Sequence, residues 1–105
     1  MNIKVKEIKD SNIWDRFVKD SPNSSFMQSW NWSKFQQEGL NRKTYRLGFK
    51  EKEELVAVSA CYEINQTFGK YIYCMRGPIL KKFDEQVYEQ VLNALTDFFK
   101  EKEYV

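Results

Sequence analysis

The chain has 105 residues, 42% of them hydrophobic and 30% charged, which fits one packed domain or a piece of one and argues against disorder. Its 17 basic and 15 acidic residues leave a net charge of +2, too balanced for the one-sided basic face of a nucleic-acid binder. Histidine is absent, which excludes Ser–His–Asp and Cys–His nucleophile systems, a histidine general base and most zinc sites. Any chemistry must therefore run on carboxylates, tyrosines, lysine, arginine or the substrate's own groups.

The longest apolar-dominated run, 55–62, falls far short of the roughly 20 residues that span a bilayer. The N-terminal MNIKVKEIKD has no apolar core of a signal peptide, so a cytoplasmic protein is expected. Cys61 and Cys74 have neither CxxC spacing nor histidine companions. In a reducing compartment they are expected to be small buried hydrophobes.

Ile3, Val5 and Ile8 predict a short first strand with Lys4 and Lys6 on its wet face. Asp10, Ser11 or Asn12 can cap the helix that follows, whose apolar stripe is Trp14, Phe17 and Val18. Asp20-Ser21-Pro22-Asn23 ends it, because proline disfavours helix in the residue before it. In 24–39, SSFMQSWNWSKFQQEG, Ser25 to Gln28 fits a capping box in which the serine accepts a backbone N–H and the glutamine reaches back. Ser29 is a competing cap. A second helix is expected over about 29–38, with Trp32 and Phe35 on one face and Gly39 as the left-handed residue that closes it.

From Lys43 the period becomes two. Tyr45, Leu47 and Phe49 alternate with Thr44, Arg46 and Gly48, the mark of a half-buried strand. The charged turn 50–53 leads into 55–64, which is apolar on both faces and therefore central. Residues 65–69 turn the chain again, and 71–75 form a further strand broken by Gly77-Pro78. Asp84 caps a last helix whose stripe is Val87, Tyr88, Val91, Leu92, Leu95, Phe98 and Phe99. Tyr104-Val105 starts something apolar.

The order is β-α-α-β-β-β-α, an α+β arrangement with a mixed or antiparallel sheet flanked by helices. It is similar to the first half of an acetyltransferase-like (GNAT) fold. Residues 1–105 are accordingly expected to be a single partial domain, cut at the start of its next strand.

Phe26-x-Gln28-Ser29-x-x-Trp32, then Gly39, then Tyr71-x-Tyr73-x-x-Arg76-Gly77-Pro78 with the aliphatic pair Ile79-Leu80, resemble the FemABX family in order and spacing. These are the non-ribosomal aminoacyl and peptidyl transferases of cell-wall bridge synthesis. The resemblance implies a two-subdomain enzyme of which this chain holds the N-terminal part, the C-terminal subdomain being missing. It implies transfer of an amino acid from aminoacyl-tRNA to an amine of a UDP-linked or lipid-linked muropeptide. It implies neither cofactor nor metal. Where family members carry a lysine facing the precursor's diphosphate this chain has Gln36, and Lys34 lies two residues earlier, roughly 200° round a helix.

The substrate-binding candidates are Arg76, Tyr73, Tyr71, Lys34, Gln36 and Trp32, with Gly77 and Pro78 setting a rigid turn before the last helix. No catalytic residue is assigned. Arg76 is the best anion binder, because a planar guanidinium grips phosphate or carboxylate with two hydrogen bonds. Structural accounts stand beside these: capping for Gln28 and Ser29, and packing for Trp30, Trp32 and the two tyrosines. The 76–83 loop, with one glycine and a proline lacking N–H, is a poor phosphate nest, so acetyl-CoA binding is not expected. Two alternatives remain: a non-catalytic module that self-associates or binds a partner strand through an open sheet edge, and a GNAT-type acyltransferase fragment.

Overall fold

The computed structural model describes residues 2–74 and 76–102. Met75, expected in the last meander strand, and the apolar 104–105 lie outside the described residues. The elements are β1 (Ile3–Glu7), α1 (Ser11–Asp20), a 3₁₀ turn (Phe26–Gln28), α2 (Trp30–Lys34) running into a π turn (Phe35–Gly39), β2 (Thr44–Glu51), β3 (Glu54–Gln66), β4 (Gly69–Tyr73), β5 (Ile79–Leu80) and α3 (Glu85–Lys100). The molecule is mixed α+β, with an open antiparallel sheet flanked by helices.

The sheet runs β1-β2-β3-β4, with every neighbouring pair antiparallel. The expected order lacked a strand. β5, two residues just after Pro78, pairs Ile79 with Val58 and Leu80 with Ala57, on the same flank of β3 that β4 occupies further along. The Gly77–Pro78 turn therefore precedes a strand and not the last helix. Two residues carry too little periodicity to signal a strand in sequence.

α3 covers one face of the sheet. Tyr45, Leu47 and Phe49 of β2, Ala57 and Cys61 of β3 and Leu80 of β5 pack there with Val91 and Phe99. Tyr45, Phe98 and Phe99 meet edge to face, with centroids 5.1 to 6.1 Å apart. Asp84 caps α3 by accepting from Gln86 N–H at 2.9 Å and Val87 N–H at 3.2 Å.

On the opposite face, Trp14 and Val18 of α1 pack on Val58, Ala60, Tyr62 and Ile79. Asp10 caps α1 through the N–H groups of Asn12 and Ile13. β2 is buried at Tyr45, Leu47 and Phe49, as the alternation predicts, while Thr44, Arg46 and Lys50 on its other face are half-buried, Arg46 against Ser33 and Trp30 of α2. Gly48 is buried, and a Cβ there would lie 2.5 Å from Ile8 Cδ1.

Helix two has the expected length but not the expected ending. Asn41, at φ 53°, holds the left-handed position assigned to Gly39. At Gly39 a Cβ would sit 2.9 Å from the Phe35 ring, so a larger residue there would have to displace that ring.

The two cysteines are not separate hydrophobes. Cys61 and Cys74 are joined as a disulfide. Register explains the pairing: Tyr62 faces Tyr73, so the next pair outward is Cys61 and Cys74, with Cα atoms 4.4 Å apart. That is the short spacing of a non-hydrogen-bonded cross-strand pair.

Candidate cleft at the seam of the sheet

Among the described residues, β4 pairs with β3 only at Tyr62–Gln66, and β5 only at Ala57–Val58. Between them the β3 backbone at Ala60 would face a gap. Gln28, fully buried, fills it: Oε1 accepts from Ala60 N–H at 2.8 Å and Nε2 donates to Ala60 C=O at 3.4 Å. One side-chain amide thus supplies both hydrogen bonds that a neighbouring strand would have made, which matters because an unpaired buried backbone group costs about 1–3 kcal/mol. The expectation that Gln28 reaches back as the second half of a capping box is overturned. Ser25 keeps its half, accepting from Met27 N–H at 3.2 Å, and Ser29 caps α2 through Trp32 N–H at 3.1 Å.

Asn23 does the same service for β5. Its Nδ2 donates to Pro78 C=O and its Oδ1 accepts from Leu80 N–H, both at 3.1 Å. α1 anchors the chain at and just beyond Gln28: Trp14 Nε1 donates to Gln28 C=O at 2.6 Å, and Asp15 accepts from Trp30 N–H at 2.8 Å. Gly77 closes the seam, since a Cβ on it would lie 2.7 Å from Ser59 Oγ and 2.9 Å from Gln28 Nε2.

Above the seam lies a cleft of about 500 Å³, lined by Asn23, Ser24, Ser25, Phe26, Met27 and Arg76. Arg76 is exposed, at φ 58°, with neither ion pair nor hydrogen bond among the described residues. A non-glycine residue held in the left-handed region stores about 1 kcal/mol or more, and such strain concentrates at ligand sites. Gly77–Pro78 is a cis peptide.

The other candidates divide into four groups. Phe26 from the cleft wall meets Trp32 edge to face at 5.5 Å, and Trp32 meets Phe35 at 5.6 Å, so Trp32 is joined to the cleft through Phe26. The half-buried Trp32 keeps its Nε1 buried and, among the described residues, without a partner. Tyr71 and Tyr73 are exposed on β4, while their neighbours Ile72 and Cys74 turn toward α3. Lys34 is exposed. Gln36 stands apart: it is buried, and its Oε1 accepts from Arg42 Nη1 at 2.7 Å. Its position is therefore interior and not part of the cleft wall.

Sequence reasoning missed Asn23, Arg42, Arg46, Ser59 and Tyr62. Arg46 donates from Nε to Ser33 Oγ at 2.8 Å and from Nη2 to Gln37 at 3.2 Å, and lies 4.2 Å above the Trp30 ring. Its partial burial lowers its pKa. Tyr62 is fully buried, among the described residues its hydroxyl has no partner, and burial pushes its pKa up to about 12 against the pull of Arg46 and Arg42. The one available signal was the placing of Cys61 and Cys74 about the expected 65–69 turn, about six and seven residues from its centre, which sets them nearly opposite one another across a hairpin. Asn23 gave none.

Among the described residues no cluster of three or more His, Cys, Asp or Glu could hold a metal. No helix of the described residues is long and apolar enough to cross a membrane. No curated protein and no solved structure shows a significant match. A family model described as "FemAB family" matches residues 10–105.

Proposed function

The chain belongs to the FemAB family, and from that premise we propose that it is the N-terminal part of an aminoacyl transferase of peptidoglycan-bridge synthesis. Its donor in this reading is an aminoacyl-tRNA and its acceptor an amine on a UDP-linked or lipid-linked muropeptide. The acetyltransferase-like character of the sheet and a cytoplasmic setting are parts of the same proposal. The observation that carries it is Arg76, an unpaired guanidinium at a left-handed position on the rim of the seam cleft. A phosphate or carboxylate is the natural partner for such a group.

Tyr71, Tyr73, Trp32 and Lys34 are proposed as further contacts to the acceptor. Gln36 acts inward, holding Arg42. The chemistry asks for positioning. The acceptor amine attacks the ester carbonyl of the aminoacyl group, an amide bond forms, the ester bond breaks, and the ribose oxygen leaves with a proton. Hydrogen-bond donors steady the oxyanion formed on the way.

Use of acetyl-CoA is disfavoured by a particular contact. The Asp84 carboxylate already takes the Gln86 and Val87 N–H groups at the start of α3, where a pyrophosphate would have to sit.

The test is titration of a UDP-linked muropeptide into the protein and into Arg76→Ala. Binding weakened about ten- to a hundredfold by the substitution supports the reading, since a hydrogen bond to a charged group contributes about 1.5–3 kcal/mol. Absence of binding, or equal binding by Arg76→Ala, defeats it. A second reading is favoured by β4, whose described residues pair only with β3. A strand-docking module would self-associate through that edge, and a concentration-independent monomer in size-exclusion chromatography counts against it.

A further inference from the structure

The Cys61–Cys74 pair lies at the point where β4 stops pairing and the chain turns toward Arg76. It is tied to that turn by two contacts. Cys74 C=O accepts from Gly77 N–H at 3.4 Å. On the other side, Ser59 Oγ lies 3.4 Å from Cys61 Sγ and also forms the wall against which Gly77 packs, where a Cβ would meet it at 2.7 Å. The two sulfurs are unequal in access: Cys61 is fully buried and Cys74 only half-buried.

We propose that Cys61 and Cys74 form a reversible thiol–disulfide site, that its co-substrate is a low-molecular-weight disulfide, and that its state sets how firmly the Arg76–Gly77 turn is held. In the oxidising direction the Cys74 thiolate attacks one sulfur of the small disulfide and expels one small thiolate. The Cys61 thiolate then attacks the Cys74 sulfur of the mixed disulfide and expels the second. Two cysteine thiols are oxidised to one disulfide, and one small disulfide is reduced to two thiols. In the reducing direction an external thiolate attacks the accessible Cys74 sulfur, and Cys61 leaves as a thiolate beside the Ser59 hydroxyl, which can donate to it. A second external thiolate then attacks the small-thiol sulfur of the mixed disulfide, releasing Cys74 and one small disulfide. In the reducing, cytoplasmic setting proposed above, on which this site depends, a disulfide is transient and acts as a sensor or catalyst, whereas permanent structural disulfides belong to oxidising compartments.

The experiment uses the whole chain and needs no muropeptide. Protein reduced with dithiothreitol is exposed to glutathione disulfide, alkylated and weighed, and amide hydrogen exchange is followed in both states. Expected are loss of both alkylation sites on oxidation and their return with glutathione. Gly77 and Leu80 should lose protection on reduction while β2 and the β2-facing amides of β3 keep theirs. Cys74→Ser should show the reduced pattern regardless of redox state, and Cys61→Ala serves in its place if that variant does not fold. Failure of glutathione disulfide to form the bond, a bond that glutathione cannot reopen, or the same exchange at Gly77 in both states would each overturn the proposal. So would loss of protection throughout β2 and β3, which would make the pair a staple of the whole fold.

Discussion

The two faces of the sheet are held in different ways. Under α3 the contacts are apolar: Leu47, Phe49, Ala57, Val91 and Phe99, joined by the Tyr45–Phe98–Phe99 ring cluster. Under α1 and α2, apolar packing around Trp14 is threaded with polar side chains. Gln28, Ser33 and Gln36 are all buried, and each has its partner in Ala60, Arg46 or Arg42. An apolar interface is non-directional and tolerates a change of shape, whereas a buried amide tolerates no change of chemistry. The contrast places adaptability on the α3 side and exact positioning on the side that shapes the seam cleft.

The largest test removes volume from the apolar side. Phe99→Ala is expected to lower the unfolding free energy by about 3–5 kcal/mol in urea titration, the usual range for an aromatic truncated in a core. Next come two substitutions of similar volume. Gln28→Met should cost about 2–4 kcal/mol, because Ala60 loses partners for both its N–H and its C=O, while Leu47→Met should cost less than about 1.5 kcal/mol. If the two methionine variants are equally stable, the contrast between the faces is wrong. Arg46→Lys loses a forked donor and a stacking plane over Trp30. A loss of about 1 kcal/mol is expected, visible as a lower thermal midpoint.

The smallest effect has the opposite sign at neutral pH. Tyr62→Phe deletes a buried hydroxyl that has no partner among the described residues, so stability should stay within about 0.5 kcal/mol of the parent or rise. Its effect appears at high pH. The Tyr62 pKa is raised from 10.0 to about 12, so the folded state holds the phenolic proton more tightly than the unfolded one. The resulting stability is fully present below the unfolded value near 10 and is lost as pH rises through about 12. Between those values the parent should destabilise more steeply than Tyr62→Phe. Identical alkaline profiles would show that Tyr62 is not the group responsible.

The α3 side is the one that sequence reveals. The stripe from Val87 to Phe99, the Asp84 cap and the alternation of Tyr45, Leu47 and Phe49 are local periodicities, and each marks a surface by itself. On the other side the informative partners lie far apart in the chain. Gln28 had a respectable local role as a capping-box residue and abandoned it for Ala60, 32 residues on. Arg46 occupies the polar phase of an alternating strand, the pattern of a solvent-facing residue, until α2 is seen to cover it. Arg76 and the Gly77–Pro78 turn were legible because proline and a lone guanidinium are conspicuous. The cleft they border was not, since its other wall comes from 23–27, a stretch with no period at all.

The seam also bears on the order in which the molecule comes together. Gln28 meets Ala60 across 32 residues and Asn23 meets Leu80 across 57, whereas the β2–β3 and β3–β4 hairpins close over short turns. Closing long loops is slower in entropy terms, so the hairpins are expected to form first and the two amides to lock last. A contact made after the rate-limiting barrier acts on the rate of leaving the native state and hardly on the rate of reaching it. Asn23 and Gln28 would then act as a latch: the chain can find its fold without them, and how long it stays there depends on them.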